Sequence, residues 1–182
     1  MDNFEYLIIR FKAKTEWFDK TKLFDAFRSD TKVGESTLDS ALREYLFEQG
    51  INFPFSKPSS PSGEVDVLSL IESKPIPLEI KVYDGEGRTQ DHIRQGFRQA
   101  FCYARDYGEP SAYLVVFNVS QKEIIFNLNQ KELPQRIYLG DKTIFIFVVN
   151  LFPQEETASK RDMITVKIEE SYLLEASANS NQ

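Results

Sequence analysis

Hydrophobic and polar positions along this chain follow two periods, and the switches between them mark its elements. Phe4 to Lys12 is dense in aromatic and β-branched residues and predicts a strand. Trp17, Phe18, Leu23, Phe24 and Phe27 fall at helical spacing and predict a helix over 17–27. Gly34 punctuates, and Ser36 or Thr37 is placed to cap a second helix running to about Gln49 and stopped by Gly50. The apolar stripe of that helix is Leu38, Ala41, Leu42, Tyr45 and Leu46. Phe53 to Gly63 holds three prolines and four serines and reads as a loop.

Period two takes over in Gly63-Glu64-Val65-Asp66-Val67-Leu68 and again in Leu78-Glu79-Ile80-Lys81-Val82. With a turn around Glu72-Ser73-Lys74-Pro75, these pieces predict a β-hairpin. Alternation puts Asp66 on a face with Glu64 and Leu68, and Glu79 on a face with Lys81. A polar loop over Asp84–Asp91 leads into a helix from about Asp91 to Tyr107, ended by Gly108. Ala112–Val119, Ile124–Leu128 and Lys142–Leu151 read as strands, Gln154–Asp162 as a charged loop and Met163–Ile168 as a last strand. The order predicts an α/β layer architecture with a mixed central sheet flanked by helices. It is expected to form one domain over 1–174: an N-terminal strand/helix extension (1–33), a core (34–151) and a C-terminal strand extension (152–174). Residues 175–182 are polar and expected to be a flexible tail.

Composition narrows the class. The 182 residues are 41% hydrophobic and 27% charged, as in globular proteins, and no stretch approaches the roughly 20 apolar residues of a membrane span. The first residues lack the basic start and apolar run of a signal peptide, and a single cysteine suits a reducing compartment. A cytoplasmic protein with no membrane partner is expected. The net charge of −6 argues against binding nucleic acid through overall positive field, while leaving room for a local basic groove. One histidine and one cysteine do not make an ordinary zinc site, and no phosphate-binding P-loop motif is present. Gly85-Glu86-Gly87 is too acidic to cradle phosphate and reads as a flexible loop at the mouth of a site.

Charges inside apolar strands are costly to bury unless paired or bound to metal. Two carboxylates and an ammonium presented from adjacent strands could hold a hard divalent cation and a water beside a phosphate. Alone, Glu-x-Lys in a strand is most simply a surface pair. Together, Asp66 and Glu79-x-Lys81 resemble the motif of the PD-(D/E)XK nuclease superfamily: Asp66 matches its first acid, Glu79 its second and Lys81 its lysine, with Val65 in place of the usual proline. The resemblance implies a restriction-endonuclease-like αβββαβ core and a metal-dependent deoxyribonuclease. Mg²⁺ or Mn²⁺ would be held by Asp66, Glu79 and the backbone carbonyl of Ile80. Lys81, beside two carboxylates, is expected to position the water and stabilise the transition state rather than act as a free base.

The helix after the hairpin adds to this. Ile93, Phe97, Ala100, Ala104 and Tyr107 share an apolar face, with His92, Gln95, Gln99 and Tyr103 along one edge and Arg94, Arg98 and Arg105 along the other. Gln99-x-x-x-Tyr103 resembles the Gln-x-x-x-Tyr helix of the RecB-like branch, which implies catalytic-site roles for Gln99 and Tyr103. Arg94 and Arg98 are candidates for contact with the nucleic-acid backbone, although an arginine stripe is most simply a solvated face. A further acid is expected from the preceding helix: Glu35 first and Asp39 second as metal ligands, with Glu44 and Glu48 as the other candidates. His92 stands near the catalytic end of its helix and could touch a scissile phosphate. The expected function is hydrolysis of DNA, more than RNA, in phage defence, restriction or repair. Cutting both strands would call for a homodimer or a larger complex. A non-catalytic nucleic-acid- or protein-binding member of the same fold is the alternative.

Overall fold

Phe4, Leu7, Ile8 and Phe11 recur at intervals of three and four residues. In the computed structural model they build a helix, α1 (Asn3–Lys14), where composition predicted a strand. All four side chains are buried; Tyr6 and Arg10 lie on the far side, the guanidinium carbon 5.8 Å from the ring centroid. The period, which buries one face, outweighs the β-propensity of the residues that carry it. The structure describes residues 3–51, 59–60, 63–64, 67–71, 74–153 and 164–175.

α1 runs through a π-helical turn, Thr15–Asp19, into α2 (Lys20–Ser29). The predicted helix over 17–27 is therefore divided, and Trp17 and Phe18 stand outside the stripe that buries Leu23 and Phe27. α3 (Thr31–Glu48) begins earlier than predicted because Asp30 caps it, its Oδ1 accepting from the backbone N–H of Lys32 (2.9 Å) and Val33 (3.2 Å). Thr37 instead donates to the Val33 carbonyl at 2.8 Å within the helix. Gly34 does not punctuate: it lies inside α3 against α2, where a Cβ would come 2.3 Å from the Phe27 Cα. The helix ends as expected at Gly50, with φ +85°.

The remaining elements are β1 (Ser59–Ser60), β2 (Gly63–Glu64), β3 (Val67–Ile71), β4 (Lys74–Tyr83), α4 (Gln90–Asp106), β5 (Ser111–Asn118), β6 (Glu123–Asn127), β7 (Gln135–Leu139), β8 (Lys142–Asn150), β9 (Thr165–Glu169) and α5 (Glu170–Leu174). The sequence pattern missed β7 and α5, both only five residues long. The predicted loop over Gln154–Asp162 and the tail beyond Glu175 lie outside the described residues, as does most of Phe53–Gly63.

The main sheet has the order β3-β4-β5-β8-β7. β4, β5 and β8 are parallel, and β3 and β7 close the two sides antiparallel, which makes the sheet mixed. β6 and β9 form a separate parallel pair. Helices cover both faces of the main sheet. On one side α1, α2 and α3 bury Leu78, Val82, Val115, Phe117, Phe147 and Val149 of the strands. On the other, α4, α5 and the β6–β9 pair bury Leu114, Val116, Ile144 and Ile146. β5 is apolar along nearly its whole length because both its faces are covered. The result is an α/β protein with helices on both sides of a mixed sheet. Among the described residues no helix is long and apolar enough to cross a membrane.

Candidate active site

Alternation along β4 decides where its charges go. Leu78, Ile80 and Val82 face the α1–α3 core, and the other face of the strand turns towards α4. Glu79 and Lys81 are on that second face. Glu79 is 1% exposed and its Oε1 accepts from Lys81 Nζ at 2.6 Å. The helix lies directly over the lysine: a Cβ at Gly96 would sit 2.5 Å from Lys81 Cγ and 3.0 Å from Leu114 Cδ1. Glycine at 96 is thus what lets α4 close on the ion pair. Because α4 links parallel strands it runs against β4, so its next turn, with Gln99, lies towards Glu79, and Tyr103 follows one turn further on. Gln99 Oε1 is buried with no hydrogen-bond partner among the described residues. Tyr103 is fully buried and packs with Tyr107.

Lys81 also lines an open cleft of about 440 Å³ between α3 and the start of α4. Its walls are Lys32, Glu35, Ser36 and Asp39 from α3, Ile80, Lys81 and Val82 from β4, and His92 from α4. Burial first, and then the charge of Lys81 with a smaller push from Arg88, lowers the His92 pKa below 6.5 against the opposing pull of Glu35 and Asp84. The imidazole is therefore held in its neutral form at neutral pH.

The two acids expected from α3 share this cleft, each already engaged. Glu35 Oε1 accepts from Arg88 Nε at 2.5 Å, and Asp39 accepts from Arg43 Nε at 2.9 and 3.0 Å. Arg88 also reaches Asp84 Oδ2 at 3.2 Å and lies 5.5 Å from the Phe27 ring centroid. Asp84 Oδ1 accepts from the backbone N–H of Glu86 (2.9 Å) and Arg88 (2.8 Å). Burial pushes the Asp84 carboxyl up, but these two bonds and the Arg88 side chain together bring its pKa below 3.8. The Gly85-Glu86-Gly87 segment, expected to be flexible, is in this way cinched by Asp84 and tied to α3 through Arg88. The sequence reading missed Arg88 and Asp84. The available signal was an arginine and an acid four residues apart in the loop that follows the lysine strand.

The other candidates lie elsewhere. Arg94 is 2.7 Å from Asp91 Oδ1 one turn back on α4, and reaches α5 and its flank at 3.8 Å from Glu175 and 4.6 Å from the Tyr172 ring centroid. Arg98 is half-buried, Gln95 is exposed and Arg105 is 62% exposed on the same helix. Glu44 and Glu48 line a separate, smaller cleft of about 130 Å³ with Lys14, Lys22 and Tyr45. Asp66 lies outside the described residues. The described β3–β4 register ends at Val67 opposite Leu78, the residue before Glu79, and from Leu78 to Tyr83 β4 is paired with β5. Among the described residues no three His, Cys, Asp or Glu side chains are grouped to hold a metal ion. No family model matches the chain, and neither does any curated protein or solved structure.

Proposed function

We propose that the chain is a metal-dependent nuclease of the PD-(D/E)XK type, with a restriction-endonuclease-like core, that hydrolyses phosphodiester bonds in DNA. The observation that carries the reading is the Glu79–Lys81 pair: a carboxylate 1% exposed, 2.6 Å from an ammonium that also lines an open cleft. A buried ion pair is weak support for stability, so retaining one beside a cleft points to chemistry. Glu79, the Ile80 carbonyl and Asp66 are hard oxygen donors and suit Mg²⁺ or Mn²⁺, which often takes only one or two protein carboxylates. Bound there, the cation would polarise the phosphate and offset the charge that grows on it.

The chain's own groups would do the rest. Lys81 Nζ, tethered to Glu79, holds an attacking water near the phosphate and stabilises the developing negative charge. The neutral His92 imidazole on the cleft wall offers a hydrogen-bond acceptor or donor to the same phosphate or water. Glu35 and Asp39 on the cleft wall are held by Arg88 and Arg43 behind it, and Gln99 supplies an oxygen with no partner among the described residues. Phage defence, restriction or DNA repair are the roles such an activity would serve.

The test is cleavage of single- and double-stranded DNA with Mg²⁺ or Mn²⁺ against EDTA, using Asp66→Ala and Lys81→Ala with the folded fraction of each checked by circular dichroism. Loss of turnover in both is expected; wild-type cleavage by both variants would overturn the proposal. One observation favours the second reading, a non-catalytic nucleic-acid- or protein-binding member of the fold. Glu35 and Asp39, the acids that would complete a metal site, are spent on Arg88 and Arg43. Failure to bind Mg²⁺ or Mn²⁺ would select it.

A further inference from the structure

We propose that Trp17 and Phe18 form a stacking platform for unpaired bases of a nucleic-acid strand approaching the Lys81 cleft; the choice of ligand rests on the nuclease reading above. Both side chains are 83% exposed, at consecutive positions on the π-helical turn Thr15–Asp19. Leaving two large aromatics in water forfeits their burial energy, and π-turns inside helices are frequently sited for function. The exposure is built in. Thr15 is fully buried, and Glu16 turns inward, its Oε1 accepting from the Asn150 backbone N–H at 2.7 Å and Asn150 Nδ2 at 3.1 Å. Lys12 Nζ joins Glu16 at 2.5 Å and donates to the Val148 carbonyl at 2.6 Å. With the inner side pinned to the end of β8, the next two residues face solvent.

The anchor also sets the location. Asn150 is in register with Asn118, and Asn118 with Tyr83, a row across the carboxyl ends of β8, β5 and β4. At a strand spacing of about 4.8 Å, β8 and β4 are roughly 10 Å apart. Lys81 stands two residues before Tyr83 on β4. Platform and cleft therefore share the end of the parallel strands where open α/β sheets bind ligands.

Chemistry favours a nucleic-acid strand over other occupants. Lys20 follows the aromatics by two residues and makes no ion pair among the described residues, while Lys14 is held by Asp19 and Lys22 lines the smaller cleft with Asp19, Glu44 and Glu48. Two rings followed at once by the Lys20 ammonium match bases and a phosphate. Two aromatics offer about 150–250 Å² each, short of the roughly 800 Å² per partner of a stable protein interface.

Trp17 is the chain's one tryptophan, so its fluorescence reports the platform directly. The experiment titrates a short oligothymidine strand into the protein in EDTA, where cleavage is blocked, and repeats it with duplex, with Phe18→Ala, and with vesicles of anionic lipid. Saturable quenching by the single strand, weaker with duplex and weakened about tenfold by Phe18→Ala, is expected. Strand binding without a change in Trp17 emission, or unaltered by Phe18→Ala, would overturn the platform. So would a blue shift produced by vesicles or by raising the protein concentration alone. The two proposals fail separately: metal-dependent cleavage without quenching removes only the platform, and quenching without cleavage removes only the nuclease.

Discussion

Enclosing a carboxylate as Glu79 is enclosed is costly without a partner, and Lys81 Nζ stands 2.6 Å from it. Removing one member of a buried pair typically costs about 3–5 kcal/mol because the other is stranded. Lys81→Met is therefore expected to lower stability by about 3 kcal/mol, read as a fall in the urea midpoint, and Lys81→Met with Glu79→Gln to recover part of it. An unchanged midpoint in the single variant would show that the pair is compensated from elsewhere. His92 carries a pH signature. Its pKa is lowered in the fold, by burial first and the Lys81 charge second, so as pH falls the unfolded chain takes up the proton before the folded one. The stability is whole above about pH 6.5 and is lost as pH falls from there through the lowered folded value. In metal-free buffer, the melting temperature of the wild type should drop more steeply below about pH 6.5 than that of His92→Gln. Parallel slopes would contradict this assignment. The Glu79-x-Lys81 pairing was legible in the sequence because period two fixes which strand residues share a face. Arg88 was not, because its partner Glu35 lies 53 positions away and only the fold brings them together.

At the scale of elements, two glycines set helix distances. Gly96→Ala would place a methyl 2.5 Å from Lys81 Cγ, low on the side chain, where relief requires rotation about χ1 that swings the whole chain away from Glu79. We expect a loss of about 1–3 kcal/mol and displacement of Lys81 from Glu79, so that cleavage falls even at temperatures where the variant is folded. Gly34→Ala would meet the Phe27 backbone at 2.3 Å, prising α3 from α2 by an amount helix propensity cannot offset. Its melting temperature should fall, and a gain would show that the two helices separate freely. Gly34 also marks where the fold departs from the sequence pattern. A glycine ahead of a Ser-Thr pair looks like the gap before a cap, yet Gly34 is a contact point inside a helix capped by Asp30. α1 departs from the expected strand because its aromatic and β-branched residues favour extended chain while Phe4, Leu7, Ile8 and Phe11 keep a helical period that buries one face. α4 and β5 were placed almost to the residue because long, strongly patterned segments leave little choice.

The whole molecule carries a net charge of −6, which sets the terms for testing a metal site. Any divalent cation relieves self-repulsion on an acidic surface, so a rise in melting temperature with Mg²⁺ is not by itself a sign of specific binding. A cation held only by the folded state adds RT ln(1 + [L]/Kd), about 2.7 kcal/mol at a hundredfold excess over Kd. In a domain of this size each kcal/mol shifts the midpoint by roughly 2–4 °C, so the specific part should reach about 5–11 °C. Matching ionic strength with a monovalent salt removes the screening contribution, and Asp66→Ala removes the site while changing the net charge by a single unit. The expected outcome is a Mg²⁺-dependent rise at constant ionic strength in the wild type, reversed by EDTA and largely absent in Asp66→Ala. If both proteins rise equally the effect is surface screening, and if neither rises the Glu79 charge is offset without a metal. In that last case the cleft between α3 and α4 is a binding surface with no metal chemistry behind it, and the buried pair serves to hold α4 on β4.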